Sequence, residues 1–192
     1  VRFISNHSSG KMGYAIAKHC MHRGANVTLV TGRTSTPLPP FVNVIKAESA
    51  KDMFEAVKAN YDSQNIIIKA AAVADYHSKN ISDEKVKKKD GELTIELERT
   101  VDILKYLGEN RKPGQFLCGF SMETEHLIEN SKAKLEKKHI DMIVANNLKQ
   151  AGAGFGTDTN IVTFITKNQT IELPILSKEE VAEKLIDYIL SN

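Results

Sequence analysis

Five short apolar, β-rich runs alternate with four amphipathic runs along most of this chain, and that alternation restricts the fold more than any other feature. The strand-like runs are 26–31, 42–47, 65–72, 115–121 and 141–146, and the helical patterns between them are 11–23, 50–61, 101–109 and 125–139. Strands separated by helices need right-handed crossovers, so the expected fold is α/β, a doubly wound, mostly parallel sheet with helices on both faces. Ile66, Ile67 and Ile68 in succession predict a strand buried on both sides. Ser49 with Asp52, and Ser177 with Glu180, have the spacing of capping boxes.

Two segments interrupt the alternation. In 85–100, Asp90-Gly91 is a turn signal between KVKKK and the alternating ELTIELE, which predicts an inserted β-hairpin arm. In 160–176, NIVTFIT and TIELPIL flank Lys167-Asn168-Gln169 and predict a second hairpin, leading into a C-terminal helix over 178–190. Pro37-Leu38-Pro39-Pro40 is too short for a domain linker, so residues 1–192 are expected to form one domain.

The composition excludes several functions. A net charge of +2 over 192 residues implies no general affinity for nucleic acid. Two cysteines, Cys20 and Cys118, give neither a disulfide framework nor C-x-x-C, which fits a reducing cytoplasm. No run of about 18 apolar residues occurs and no signal-peptide pattern, so a membrane-spanning or secreted chain is not expected. His19 and His22 lie a turn apart with no Cys or carboxylate beside them, a poor metal-ligand set.

Three segments carry chemistry. SNHSSGKMG places a polar, glycine-punctuated loop before the first helix, where free N–H groups and the helix dipole suit an anion such as phosphate. Asn6, Ser8 and Ser9 add hydrogen-bonding side chains. Gly10 and Gly13 make G-x-x-G with no preceding G-x-G, and Gly10-Lys11 is followed by Met12, so neither the dinucleotide nor the P-loop pattern is met. The bland reading is a serine cap and a tight connection. In KVKKK, Lys85, Lys87 and Lys89 share one strand face, which suits a triphosphate or equally a solvated edge strand. Lys134, Lys137 and Lys138 share a helix face on the same terms. AAAVADY follows the isoleucine strand. Small residues at a strand's carboxyl end admit a ligand close to the backbone, and Asp75 offers a carboxylate there, unless it only caps a turn.

SNHSSGKMG, AAAVADY, EKVKKK, GFSMET and the late K-L-x-x-K-x-x-D-x-I-V-A-N-N run stand in the order and spacing of bacterial phosphopantothenoylcysteine synthetase, and the chain resembles that family over nearly its whole length. The resemblance implies a Rossmann-like fold and a ligase reaction. CTP activates the carboxylate of 4′-phosphopantothenate as an acyl-cytidylate with release of pyrophosphate, and the cysteine amine then displaces CMP. It implies Asn6 and Lys85 as catalytic residues. As nucleotide contacts it implies Ser8, Lys69, Ala70, Ala71, Asp75, Lys85, the segment Val101, Asp102, Ile103 and Leu104, then Phe120, Lys134 and Lys138. It also implies Mg2+ with the CTP, a homodimer, and a fused or associated flavin-dependent decarboxylase domain.

The chain departs from the family in three places. Family members carry a strand and a Gly-Gly-Thr or Gly-Pro-Thr loop before the equivalent of Val1, and this chain has neither. Thr100-Val101 replaces Asn-Pro, which is expected to loosen a turn beside the nucleotide. Lys69 stands where a small or apolar residue is usual. Two other readings come from different classes: a non-catalytic nucleotide-binding module, and an NAD(P)-dependent short-chain reductase using the Y-x-x-x-K pair Tyr14 and Lys18.

Overall fold

The computed structural model describes residues 4–80, 82, 84, 94–123, 125–147 and 158–192. Along the chain run α1 (Lys11–His22), β1 (Thr28–Thr31), β2 (Asn43–Lys46), α2 (Ala50–Asn60) and a 3-10 turn, then β3 (Ile66–Lys69), β4 (Tyr76–Ser78) and β5 (Leu97–Arg99). There follow α3 (Ile103–Asn110), β6 (Phe116–Glu123), α4 (Leu127–Lys138), β7 (Met142–Asn147), β8 (Thr159–Asn160), β9 (Val162–Thr166), β10 (Thr170–Glu172), β11 (Leu176–Ser177) and α5 (Lys178–Ser191). Each strand and helix expected from the alternation is present, with ends moved by a few residues. Both capping boxes form. Ser49 Oγ accepts from the Asp52 amide at 3.1 Å while Asp52 accepts from the Ser49 amide at 2.9 Å. Ser177 and Glu180 make the same exchange at 3.2 and 2.7 Å.

The main sheet has the order β10-β9-β7-β6-β3. β3, β6 and β7 pair in parallel, and β9 and β10 continue antiparallel, as the predicted second hairpin requires. Pro174 has no N–H to donate, and β10 ends before it; Leu176 and Ser177 pair instead with β8. Helices cover both faces. Val181, Leu185 and Ile189 of α5 and Ile16 of α1 pack on Cys118, Met142 and Val144. Leu104 and Leu107 of α3 and Leu135 of α4 pack on Leu117, Ile143 and Ile165, joined by Met53, Phe54 and Val57 of α2. Leu117, Met142, Val144 and Ile165 are fully enclosed, so β6 and β7 form the centre of the core. No helix among the described residues is long and apolar enough to cross a membrane.

Two expectations need correction. β1 and β2 pair in parallel with each other but belong to a separate two-stranded sheet. Among the described residues β3 therefore pairs only with β6; Ile66 is 38% exposed, and Ile67 and Ile68 are only partly buried. An isoleucine run predicts burial on both faces only where the strand is flanked on both edges. The arm also begins earlier than its sequence suggests. The partner of β5 is β4, with Tyr76 opposite Arg99 and Ser78 opposite Leu97. Tyr-His-Ser is too short and too polar to signal a strand. The Asp90-Gly91 turn and Lys85–Lys89 lie outside the described residues.

α3 and α4 meet at Gly108, where an added Cβ would stand 1.8 Å from the carbonyl oxygen of Lys138. Alanine normally stabilises a helix interior relative to glycine by about 0.5–1 kcal/mol. Here the sign reverses: Gly108→Ala forces the helices apart and should destabilise the chain by roughly 1–3 kcal/mol, read as a lowered urea midpoint with an unchanged slope. A raised midpoint would mean that the two helices are not held at this distance.

Candidate active site

The carboxyl ends of β3, β6 and β7 open on one edge of the sheet, and several of the residues singled out by sequence lie there in two groups. One group lies around the start of α1. Gly10 caps α1 at φ +77°, a left-handed conformation, and a Cβ on it would sit 2.7 Å from Thr34 Cγ2, so both torsion and space require glycine. No side chain caps this helix closely and its first turn holds no acid; the Lys11 amide reaches Ser9 Oγ only at 3.4 Å, and Ser8 is exposed. Thr36 Oγ1 donates to the Ser9 carbonyl at 2.7 Å and fixes the loop from outside. Asn6 bridges to the neighbouring loop: its Nδ2 donates to the carbonyls of Ala72 and Val73 at 3.3 and 3.4 Å. Both bonds are long, so the amide is held but not tightly committed.

The second group lies on the face covered by α3 and α4. Asp102 caps α3, accepting from the Lys105 amide at 3.1 Å, and its other oxygen meets Lys138 Nζ at 2.9 Å. Burial pushes the Asp102 pKa up, but the Lys138 hydrogen bond, the Lys105 amide and the charges of Lys138 and Lys69 outweigh it and hold the carboxyl below its usual range. Lys134 Nζ pairs with Glu123 at the end of β6. Ile103 and Leu104 are buried in the core, whereas Val101 is exposed. Leu104 occupies the space over Gly119, where a Cβ would come within 2.4 Å of its Cδ2, which lets α3 sit close on the sheet. Lys69 projects from β3 on the same side as Ile67, toward Asp102 and Lys138.

AAAVADY joins the groups. Ala70 and Ala71 leave the end of β3, with the Ala70 Cβ only 3.8 Å from where a Cβ on Gly13 would lie. Asp75 is exposed. Thr100 does not loosen this turn. Its hydroxyl donates to the Ala74 carbonyl at 2.6 Å and its amide to the Asp75 carbonyl at 3.0 Å, which replaces a rigid Asn-Pro by two hydrogen bonds. Phe120 is half-buried on β6, on the side facing α1 and α5. Lys85 lies outside the described residues.

Sequence reading gave no role to Asn146. At the carboxyl end of β7 it is 9% exposed, and its Oδ1 has no hydrogen-bond partner among the described residues. The signal was a polar residue closing the apolar run MIVA. A buried, unsatisfied amide at the mouth of a sheet is costly without a ligand to meet it. The reductase pair is not assembled as a site: Tyr14 is buried with its hydroxyl bonded to Thr31 and Thr34 at 3.0 and 2.8 Å, while Lys18 pairs with Glu179 at 3.3 Å. His19 also turns to Glu179, and no cluster of three metal-ligating side chains occurs among the described residues.

The Asp102 contacts give a pH-dependent test. A depressed carboxyl stabilises the fold above its ordinary value near 3.8 and loses that contribution as pH falls through its folded value. Asp102→Asn keeps an N-cap but not the ion pair, and Asp102 is partly exposed, so the cost at pH 7 should stay below about 1 kcal/mol. Urea unfolding of both proteins should show this difference at pH 7 and 5 and its disappearance below about pH 3.8. A gap that persists at low pH would assign the effect to packing.

The whole chain, residues 1–192, matches the family described as DNA/pantothenate metabolism flavoprotein, C-terminal domain. It is 49% identical to the coenzyme A biosynthesis bifunctional protein CoaBC of Bacillus subtilis (strain 168), over 98% of this chain and 47% of that protein. It superposes on the crystal structure of a C-terminal domain of such a bifunctional protein with a TM-score of 0.83 at 45% identity, covering 98% of this chain and 85% of that one. A mutant of Cab2 in complex with phosphopantothenate-cysteine shares the fold at a TM-score of 0.78 and 17% identity, over 100% of this chain and 80% of that one. The chain spans about half the length of the curated relatives it matches. The match over the whole chain and the identity to these relatives show that this chain belongs to the DNA/pantothenate metabolism flavoprotein C-terminal domain family.

Proposed function

We propose that the chain is a ligase that joins 4′-phosphopantothenate to L-cysteine using CTP, through an acyl-cytidylate. The observation that carries this reading is the convergence of the two groups on Ala70–Asp75, one open to an acyl substrate beside Asn6, the other rich in lysine and suited to a nucleotide. The relatives' names, which tie them to coenzyme A biosynthesis, and the phosphopantothenate-cysteine held by a protein of the same fold support it.

In this reading the nucleotide lies over the α3–α4 side. Backbone groups of Ala70 and Ala71 read the cytosine edge, and buried polar readout of this kind rejects a base whose partners stay unpaired. Lys134, Lys138 and Lys85 meet phosphate charge. Phosphopantothenate lies over the α1 side, where the open first turn and Ser8 receive anionic oxygen. Asn6 releases its two long loop bonds and donates to the acyl oxygen as charge gathers there. Mg2+ would enter as a companion of the triphosphate, with exposed Asp75 the carboxylate that would help hold it, and it would supply charge neutralisation for the leaving pyrophosphate. The carboxylate of phosphopantothenate thereby gains a leaving group, CMP, which the cysteine amine displaces.

The test is pyrophosphate release from CTP, dependent on phosphopantothenate, with ATP as a poor substitute and no NADPH oxidation. Lys85→Gln should lower overall turnover about a hundredfold. If it still releases pyrophosphate and accumulates the cytidylate, Lys85 serves the amine step; if CTP binding and release fall together, it serves the phosphates. Unchanged turnover would reduce KVKKK to a charged edge strand. CTP bound without any pyrophosphate release would favour the non-catalytic module.

We further propose a homodimer through the β4–β5 ribbon. One face carries polar contacts, His77 Nε2 lying 3.4 Å from Glu98 and Lys79 3.7 Å from Glu96. The other presents Tyr76 and Leu97, exposed by 43% and 47%. An isolated two-stranded ribbon is marginal in water, and a second copy would cover its apolar face. Sedimentation should give a dimer at micromolar concentration and Leu97→Glu should shift it toward monomer. A monomeric wild-type chain would sink the proposal.

A further inference from the structure

Asn146 is a buried polar side chain that the fold itself does not use. Among the described residues the other buried, uncharged polar side chains find partners. Thr31 bonds to Tyr14 at 3.0 Å, Gln115 to the carbonyls of Tyr61 and Gln64 at 2.6 and 2.7 Å, Ser131 to Ser121 at 3.4 Å, and Asn160 to the Ile161 amide at 3.1 Å. The Asn146 Oδ1 is the exception. Asn146 lies opposite Met122 of β6 and Val162 of β9, one alternation beyond Met142 and Val144, so its side chain leaves the sheet on the face covered by α1 and α5. The start of α1 belongs to the same face and edge. Gly13 adjoins Ala70 just past the end of β3, and Lys11 pairs with Asp158 at 2.6 Å, beside the chain entering β8 and β9. The ladder at position 146 needs only backbone groups, so an apolar side chain would serve it equally well. An acceptor shut from water with nothing donating to it destabilises the fold until a donor arrives.

We propose that the Asn146 side-chain oxygen binds the acyl substrate, accepting a hydrogen bond from its amide N–H or its hydroxyl. The proposal rests on the ligase reading given above, which places phosphopantothenate over the α1 side. Chemistry narrows the donor. The phosphate and carboxylate at the two ends of that substrate accept rather than donate at neutral pH, so neither end meets Oδ1. An ammonium such as that of cysteine needs an opposing charge in so enclosed a place, and the residues opposite Asn146 are Met122 and Val162. Between its anionic ends the substrate carries neutral donors only, the amide N–H and the hydroxyl, set among apolar carbons. A neutral acceptor framed by Val144 and Val162 matches that middle part. The ends are then held as anions while the middle is read by hydrogen bond, which fixes the substrate's direction and length.

Asn146→Leu keeps the size and removes the acceptor. Pyrophosphate release from CTP is followed as phosphopantothenate is varied, with urea unfolding in parallel. The expected result for Asn146→Leu is a KM for phosphopantothenate raised roughly tenfold, an unchanged KM for CTP, and an unfolding midpoint unchanged or raised because a buried unpaired group has gone. Two analogues name the donor: one with an ester in place of the amide, one lacking the hydroxyl. On the wild type one of them should lose about as much as the leucine substitution costs, and on Asn146→Leu that analogue should lose nothing further. An unchanged KM for phosphopantothenate in folded Asn146→Leu overturns the proposal, and with a lowered midpoint it makes Asn146 structural. Both analogues working as well as phosphopantothenate on the wild type overturns it too, and that arm decides alone if the variant does not fold. A wild type that releases no pyrophosphate with phosphopantothenate itself would overturn the ligase reading, a failure distinct from any confined to the variant or the analogues.

Discussion

The parallel pairing of β3, β6 and β7 is the constraint on which the rest of the molecule depends. Parallel strands must be connected by crossovers, and crossovers bury both faces of the sheet. Cys118 and Leu117 of β6 and Val144 of β7 are accordingly shut off from water, one set under α1 and α5, the other under α3 and α4. Because the three strands run the same way, their carboxyl ends share one edge, and every loop leaving that edge starts within reach of the others. The opposite edge is fixed by polar bonds of a different kind: Asp141 accepts from the Leu117 amide at 2.8 Å and pairs with Arg111 at 2.9 Å, while buried Gln115 donates to the carbonyls of Tyr61 and Gln64. This edge is thus closed on itself.

The edge at the carboxyl ends of the strands is electrically balanced rather than simply basic. Lys138 is matched by Asp102 and Lys134 by Glu123, so those lysines are held in place before any ligand arrives. Their carboxylates act as positioning groups. Such pairing restrains side chains that would otherwise lose much rotamer freedom on meeting a phosphate. Glycines do comparable work on the backbone side. Gly119 admits Leu104 and Gly108 admits the Lys138 carbonyl, so the whole Asp102–Lys138 contact rests on two missing side chains.

Much of this was legible in the sequence. The 3.6 and 2.0 periodicities located the helices and main strands, and both capping boxes announced helix starts that the structure realises. Motifs singled out Asn6, Asp102, Lys134 and Lys138, and the structure gives their contacts: Asn6 with Ala72 and Val73, Asp102 with Lys138, Lys134 with Glu123. What sequence could not convey was non-local. Ile66–Ile68 read as fully buried because a run of isoleucines carries no information on how many neighbours its strand has. The β4 strand was missed because three polar-to-aromatic residues gain strand character only from their partner across the ribbon. The unmet Asn146 oxygen depends on distances between chain-distant groups, which no spacing rule encodes.

The division of the strands into two sheets has a consequence for cooperativity. Among the described residues the β1–β2 pair shares no backbone hydrogen bonds with the five-stranded sheet. Among the described residues it is attached through α2 packing on β1 and through the hydroxyl contacts of Tyr14 with Thr31 and Thr34. Strands outside a common ladder lack its backbone hydrogen bonds and open at lower free energy. Thr34 and Thr36, which brace the Gly10 turn and the Ser9 carbonyl, follow directly from that unit. The Gly10 turn is therefore braced from the β1–β2 unit. Ligand capture there would stiffen β1 and β2 as well as the loop itself, coupling occupancy of the site to the integrity of the domain.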